Sequence, residues 1–148
     1  MQQALPLGSS PAVQTILAAE GLAELVTPEL HEVYYHYVDI HQRRRDFCAV
    51  GWRNENGGWE VRAPGFCGYI GRKGMTVIPG SSLELLIFPD MGAYLCWRNR
   101  QPKARPSILI LNHAEFAAAA GKRALRFLRV TVYREEGPVQ LTRHGAAA

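Results

Sequence analysis

The sequence has little cysteine, little lysine and no long apolar run. Its three cysteines are Cys48, Cys67 and Cys96. An odd number without a C-x-x-C argues against both a disulfide framework and a zinc knuckle. Free thiols fit a reducing compartment. No apolar stretch reaches the roughly 18 residues of a membrane span. The opening Met1-Gln2-Gln3-Ala4-Leu5-Pro6 lacks the basic start and apolar stretch of a secretory signal. These shortages lead us to expect a cytoplasmic protein without a membrane partner. Lysine supplies only 3 of the 17 basic residues and arginine supplies 14. Arginine suits phosphate, because its planar fork makes bidentate contacts and keeps its charge.

What remains is a chain of 148 residues with 47% apolar residues. That is enough for one domain with a core and barely enough for two. The net charge is +4 and the pI about 9.2. A basic balance admits nucleic-acid binding without requiring it. With 9% aromatic residues, general disorder is excluded.

Residues 1–12, rich in Gln, Gly, Ser and Pro, read as a flexible leader. Val13, Ile16, Leu17 and Ala19 recur at helical spacing, predicting a helix to about Glu20. Thr27-Pro28-Glu29-Leu30 reads as a helix cap followed by a single turn. From Glu32 the pattern is β: Val33, Tyr35 and Tyr37 alternate with Tyr34, His36 and Val38. Arg43-Arg44-Arg45 reads as a turn. Phe47 to Trp52 and Trp59 to Arg62 flank Asn54-Glu55-Asn56-Gly57-Gly58, a strong hairpin signal. Two short strands, Phe66–Ile70 and Met75–Ile78, complete a hairpin-rich segment placed at 13–80.

After Pro79-Gly80 the grammar changes. Leu83–Phe88, Ser107–Asn112 and Leu128–Tyr133 are nearly continuous apolar runs, separated by helical patterns at 91–100 and 114–127. Such strands are parallel and buried on both faces. The expected fold is therefore α+β leading into α/β. An antiparallel β-hairpin segment precedes a small parallel sheet with flanking helices at 81–140, and 141–148 forms a tail. Chemistry in such sheets sits at the carboxyl ends of the strands. Those ends carry Asp90, His113, Glu135 and Glu136, the catalytic candidates. His31, His36 and His41 are not a metal set, because odd spacing in a strand alternates faces.

Phe47-Cys48-Ala49-Val50-Gly51-Trp52-Arg53-Asn54-Glu55-Asn56-Gly57-Gly58-Trp59-Glu60-Val61-Arg62 resembles the opening of the primase-type Toprim proteins of bacterial mobilisable elements. There the pattern reads aromatic-x-Ile-Gly-Phe-x-Asn-x-x-Gly-Gly-Tyr-Glu-Leu-Arg-Asn. Tyr69 to Thr76 is similar to the later Gly-Cys-x-x-Pro-Lys-x-Ile-Thr. Leu86-Ile87-Phe88 and Leu109-Ile110-Leu111-Asn112 stand where that family has Val-Phe-Glu-Gly and Val-Leu-Asn-Ser. The resemblance covers roughly residues 13–140. It implies a Toprim-like sheet that holds Mg²⁺ through a Glu after the first strand and a D-x-D after a later one, hard carboxylates for a hard ion. This chain departs at both places. Pro89, or Asp90 with a slip, stands at the Glu position. Tyr133-Arg134-Glu135, or Glu135-Glu136, stands at the D-x-D. Proline holds no metal and Arg134 repels one.

In bacterial primases the region before the Toprim sheet is basic and guides template. Here it carries Arg53, Arg62, Arg72 and Lys73 for phosphates, with Trp52 and Trp59, and also Phe66, as base-stacking candidates. Filling the β core is the competing role for these aromatic residues. A second set, Arg98, Arg100, Lys103 and Arg105, follows a helix. The expectation is a catalytically degenerate, primase-like Toprim protein. It binds nucleic acid, single-stranded DNA first, in mobile-element or phage replication, with a replication or mobilisation protein as a further partner and no cofactor. Two alternatives stay open. One is an active Mg²⁺-dependent enzyme using Asp90, Glu135 and Glu136. The other is a protein-interaction module, an inhibitor or a subunit, built on a retired Toprim fold.

Overall fold

The computed structural model describes residues 3–6, 11–19, 27–63, 66–134 and 137–142. The chain forms two compact units, Met1–Lys73 and Gly74–Ala148.

The first unit is a five-stranded antiparallel sheet in sequence order. Its strands are β1 (Gln3–Pro6), β2 (His31–Val38), β3 (Arg44–Arg53), β4 (Trp59–Ala63) and β5 (Phe66–Ile70). Helix α1 (Pro11–Ala19) packs against β3. It buries Val13, Ile16 and Leu17, one face of the helical repeat. The predicted leader is not wholly loose, because Gln3–Pro6 pairs with His31–Tyr34 as an edge strand. The predicted turn at 43–45 shifts as well. Arg44 and Arg45 are already in β3, paired with Val38 and Tyr37. The turn itself runs from Asp39 to Arg43, closed by an Asp39 N–H to Arg43 carbonyl bond. One sheet face gathers Val33, Ala49, Trp59 and Val61 into a core. Gly51 belongs to the same row. A Cβ there would overlap the Val33 side chain, so the core is close-packed over the β3 backbone.

The second unit is a mixed five-stranded sheet, ordered β10-β9-β7-β8-β6. Strands β7 (Ser81–Phe88), β8 (Pro106–Ile110) and β9 (Arg129–Arg134) are parallel neighbours. Their apolar runs follow from burial on both faces. Edge strands β6 (Thr76–Ile78) and β10 (Gly137–Thr142) pair antiparallel with β8 and β9. The architecture is thus α+β with a parallel core in the second unit.

Two further placements, in the second unit, differ from the sequence expectation. Thr76–Ile78 belongs to the second sheet rather than to the hairpin segment, so the boundary lies at Lys73/Gly74 and not at 80. Gly137-Pro138 does not end the sheet. Gly137, at φ 122, opens a strand that continues through Leu141 and Thr142, residues expected in the tail.

Helix α2 (Met91–Arg100) joins β7 to β8. A 3-10 turn (Ala114–Phe116) and helix α3 (Ala117–Ala124) join β8 to β9. Phe88 meets Tyr94 and Trp97 of α2 at ring separations of 5.7 and 5.8 Å. The opposite parity, Leu85 and Ile87, packs with Ala120 and Ala124 of α3. The helices therefore cover opposite faces. Each fully buried side chain of this size, Phe88 or Leu109 for example, contributes about 1.5–3 kcal/mol. Among the described residues, no helix is long and apolar enough to cross a membrane.

Candidate functional site

The β3–β4 hairpin is built around one side chain. Asn54 is buried, and its Oδ1 accepts from the Asn56 and Gly58 N–H groups at 2.9 and 3.0 Å. This is an Asx turn, which local sequence specifies. Gly57, at φ 82, takes the left-handed position that the turn requires. The Asn54 amide then reaches outward. Its Nδ2 donates to Glu60 Oε2 at 2.7 Å and to the Arg72 carbonyl at 2.6 Å. Asn56 Nδ2 donates to the Lys73 carbonyl at 3.0 Å. Gly58 lies so close that a Cβ would overlap the Arg72 carbonyl. The loop carrying Arg72 and Lys73 is thus fixed through its backbone, leaving both side chains at its edge.

The expected phosphate-binding residues do not share one face. Arg53 pairs with Trp59 across β3 and β4. Its guanidinium lies 4.7 Å from the Trp59 ring centre and donates to the Gly57 carbonyl at 3.2 Å. Arg62 lies on the other face, beside Cys67 and in the same row direction as Tyr69. Lys73 Nζ lies 5.9 Å from the Tyr69 ring. Arg62, Tyr69 and Lys73 therefore gather at one side of the β4–β5 edge, with exposed Arg72 on the adjoining loop.

Trp52 and Trp59 are each only 4% exposed. Buried rings offer no face to a base, so the stacking role expected of these two is corrected to core filling. Phe66 is exposed, but its ring lies against Gly68 on the Trp59 side of the sheet. The aromatic residue beside the basic edge is Tyr69, 47% exposed, which sequence reading passed over. Its signal was available. Alternation in 66–70 puts Tyr69 on the face of Cys67, away from Phe66.

In the second unit, Asp90 sits where the resemblance expects a metal carboxylate. It is the N-cap of α2, with its Oδ1 accepting from the Ala93 N–H at 2.8 Å. The neighbouring strand, β8, is followed by Asn112 and His113. Asn112 holds a left-handed backbone, φ 64, and donates from Nδ2 to the Gly74 carbonyl and Thr76 Oγ1, both at 2.9 Å. His113 starts the 3-10 turn, with its ring edge-on to Phe116 at 5.7 Å. Glu135 and Glu136 lie outside the described residues. Among the described residues, no three His, Cys, Asp or Glu side chains gather to hold a metal ion. At this strand end Asp90 Oδ1 is taken up by its helix.

Burial pushes the Cys48 thiol up, the opposite of an activated nucleophile. Burial likewise raises the Tyr133 phenol, which stacks on Phe88 at 4.5 Å. The second arginine set is partly structural. Arg98 donates to the Gln101 and Ala104 carbonyls at 3.2 and 2.6 Å, complementing the α2 C-terminus. Arg105 donates to the Pro102 and Ala104 carbonyls. A cavity of about 450 Å³ opens at the amino ends of β7 and β8, lined by Ser81, Glu84, Leu86, Trp97 and Gln101. It lies at the other end of these strands from Asp90 and His113.

The model of a domain of unknown function, DUF8464, matches residues 11–71, nearly the whole described span of the first unit up to the Arg72–Lys73 loop. No curated protein and no solved structure matches the chain.

Proposed function

We propose that the chain is a catalytically degenerate, primase-like Toprim protein that binds nucleic acid, single-stranded DNA first, through the β4–β5 edge of its first unit. The observation that carries this reading is the meeting of Arg62, Tyr69 and Lys73 on one side of that edge, beside an Arg72 loop pinned by Asn54 and Asn56. Cations flanking an exposed ring are the elements of a single-strand platform: phosphates track the charges and a base stacks on the ring. A pinned backbone lowers the ordering cost of binding. Arg53 is left out of the contact set, because Trp59 and the Gly57 carbonyl already engage its guanidinium. The commitment of Asp90 to helix capping supports the non-catalytic side of the proposal. A role in mobile-element or phage replication in the cytoplasm, alongside a replication or mobilisation protein, belongs to the same reading.

The test is anisotropy of a labelled oligonucleotide across salt. Three phosphate contacts at roughly 0.7 counterions each give a slope of about −2 in log K against log salt. That is about a 20-fold loss between about 50 and 200 mM. Tyr69→Ala should weaken binding by about 1–3 kcal/mol with little change in slope. Arg72→Ala should reduce the slope by about 0.7. Absence of any shift at micromolar protein and low salt refutes the proposal.

A further inference from the structure

Strands β2 and β3 outrun their neighbours. β1 pairs with β2 only over His31–Tyr34, and β4 pairs with β3 only over Val50–Arg53. Tyr35–Val38 and Arg44–Phe47 pair only with each other among the described residues. They form a two-stranded ribbon extending from the sheet. Four residue pairs at roughly 3.4 Å each give it a length of about 14 Å before the turn. Two-stranded ribbons are marginal in water, and this one is braced at both ends. Tyr35 stacks on Phe47 at 5.3 Å near its base. At its tip, Asp39 Oδ1 accepts from the His41 and Arg43 N–H groups at 2.8 and 2.9 Å, and Oδ2 accepts from Arg45 Nε at 3.2 Å.

The end of the ribbon is basic and apolar together. Ile40 is 90% exposed, at the point of the turn. Arg44 pairs with Asp46 and Arg45 with Asp39. Arg43 makes no ion pair among the described residues. Three arginines against two aspartates leave the tip cationic. A braced ribbon with an apolar point and a cationic flank has the dimensions of a groove reader. Duplex DNA grooves are roughly 7.5–8.5 Å deep, and the major groove admits a two-stranded ribbon. Apolar side chains at such tips press against bases while arginines hold phosphates.

We infer that the ribbon of residues 35–47 is an arm that enters a groove of duplex DNA, with Arg43 on phosphate and Ile40 against the base edges. The inference rests on the nucleic-acid reading above and adds a duplex-binding element to its single-strand edge. The preferred ligand is then a junction of double- and single-stranded DNA. Phosphate complements the arginine flank, whereas a purely apolar protein groove would leave Arg43 uncompensated.

The experiment compares the full chain with Ile40→Ser, Arg43→Ala and the double variant. The probes are a labelled duplex of about 20 base pairs and a single strand of the same length, read by anisotropy. Both side chains are exposed, so the variants keep the fold, and circular dichroism checks that they do. The double variant should bind the duplex about tenfold or more weakly, with single-strand affinity held within about twofold. Arg43→Ala should lower the duplex salt slope by about 0.9. Duplex binding indifferent to both changes, with single-strand binding intact, overturns the arm and leaves the edge reading standing. Loss of all nucleic-acid binding in the unaltered chain overturns both. Self-association abolished by Ile40→Ser, with duplex affinity unchanged, overturns the arm in favour of a contact between copies.

Discussion

Asn54→Ala removes four hydrogen bonds at once. The Asn56 N–H is near the surface and rebonds to water, so its loss costs little. The Gly58 N–H is buried and the Arg72 carbonyl partly so, and each contributes about 1 kcal/mol. The bond to the Glu60 carboxylate is charge-assisted and contributes about 1.5–3 kcal/mol. The expected loss is about 4 kcal/mol, near the upper end for a single substitution. For a unit of this size that is a fall of about 15–30 °C in melting temperature.

Asn54→Asp sharpens the reasoning. It keeps the acceptor for both turn amides but sets a second carboxylate against Glu60. Two carboxylates held this close repel each other. Asn54→Asp should therefore be worse than Asn54→Ala at pH 7. Amide exchange read by mass spectrometry localises the effect. Protection should fall over 54–61 and 70–74 and hold over 106–110. A loss below about 1 kcal/mol, or an equal loss over 106–110, refutes the account.

Asp90→Ala should cost about 1 kcal/mol of second-unit stability, whereas Asp90→Ser retains most of the cap. If Asp90→Ser instead abolished a magnesium-dependent nicking activity while the melting temperature held, Asp90 would be a metal ligand and not only a cap. Asn112→Gly keeps the left-handed backbone and loses two hydrogen bonds, costing about 1–2 kcal/mol; Asn112→Ala adds backbone strain and should cost about 1 kcal/mol more in urea titrations. The Arg43 N–H above all, with the His41 N–H and the Arg45 side chain, holds Asp39 below its ordinary value against an opposing effect of burial. A depressed carboxyl pKa means the turn keeps its full stabilisation above the unfolded value and loses it as pH falls through the folded one. The His41 and Arg43 amide resonances should therefore stay native-like at pH 4 and shift only below it.

Local chemistry made much of the fold legible. Asn54 to Gly58 announced its turn because Asx and glycine preferences act within five residues. The helix at 91–100 followed from its helical pattern, and strands β7 and β8 from the nearly continuous apolar runs 83–88 and 107–112. Pairing across long sequence distances was not legible. Thr76–Ile78 looks like the fifth member of a hairpin series, yet its partner strand begins at Pro106. Gln3–Pro6 has no strand-like pattern of its own and is ordered by the edge of β2. The faces of the candidate site were not legible in the sequence, because face assignment depends on register, and register divides Arg53 from Arg62. Trp52 and Trp59 show the same limit: composition says aromatic, and only burial says core. Asp90 carried a usable signal, since an aspartate just ahead of a helical pattern is first a cap.

Within the stretch that carries the resemblance, Asn54, Gly58 and Glu60 are consumed by the corner they build. Asn54 spans turn, strand and loop, Glu60 receives it, and Gly58 is bare because a carbonyl occupies its side-chain space. Such a corner stands whether or not the strand ends elsewhere carry chemistry, so proteins that share the phrase share a corner first and an activity only where their strand ends agree as well.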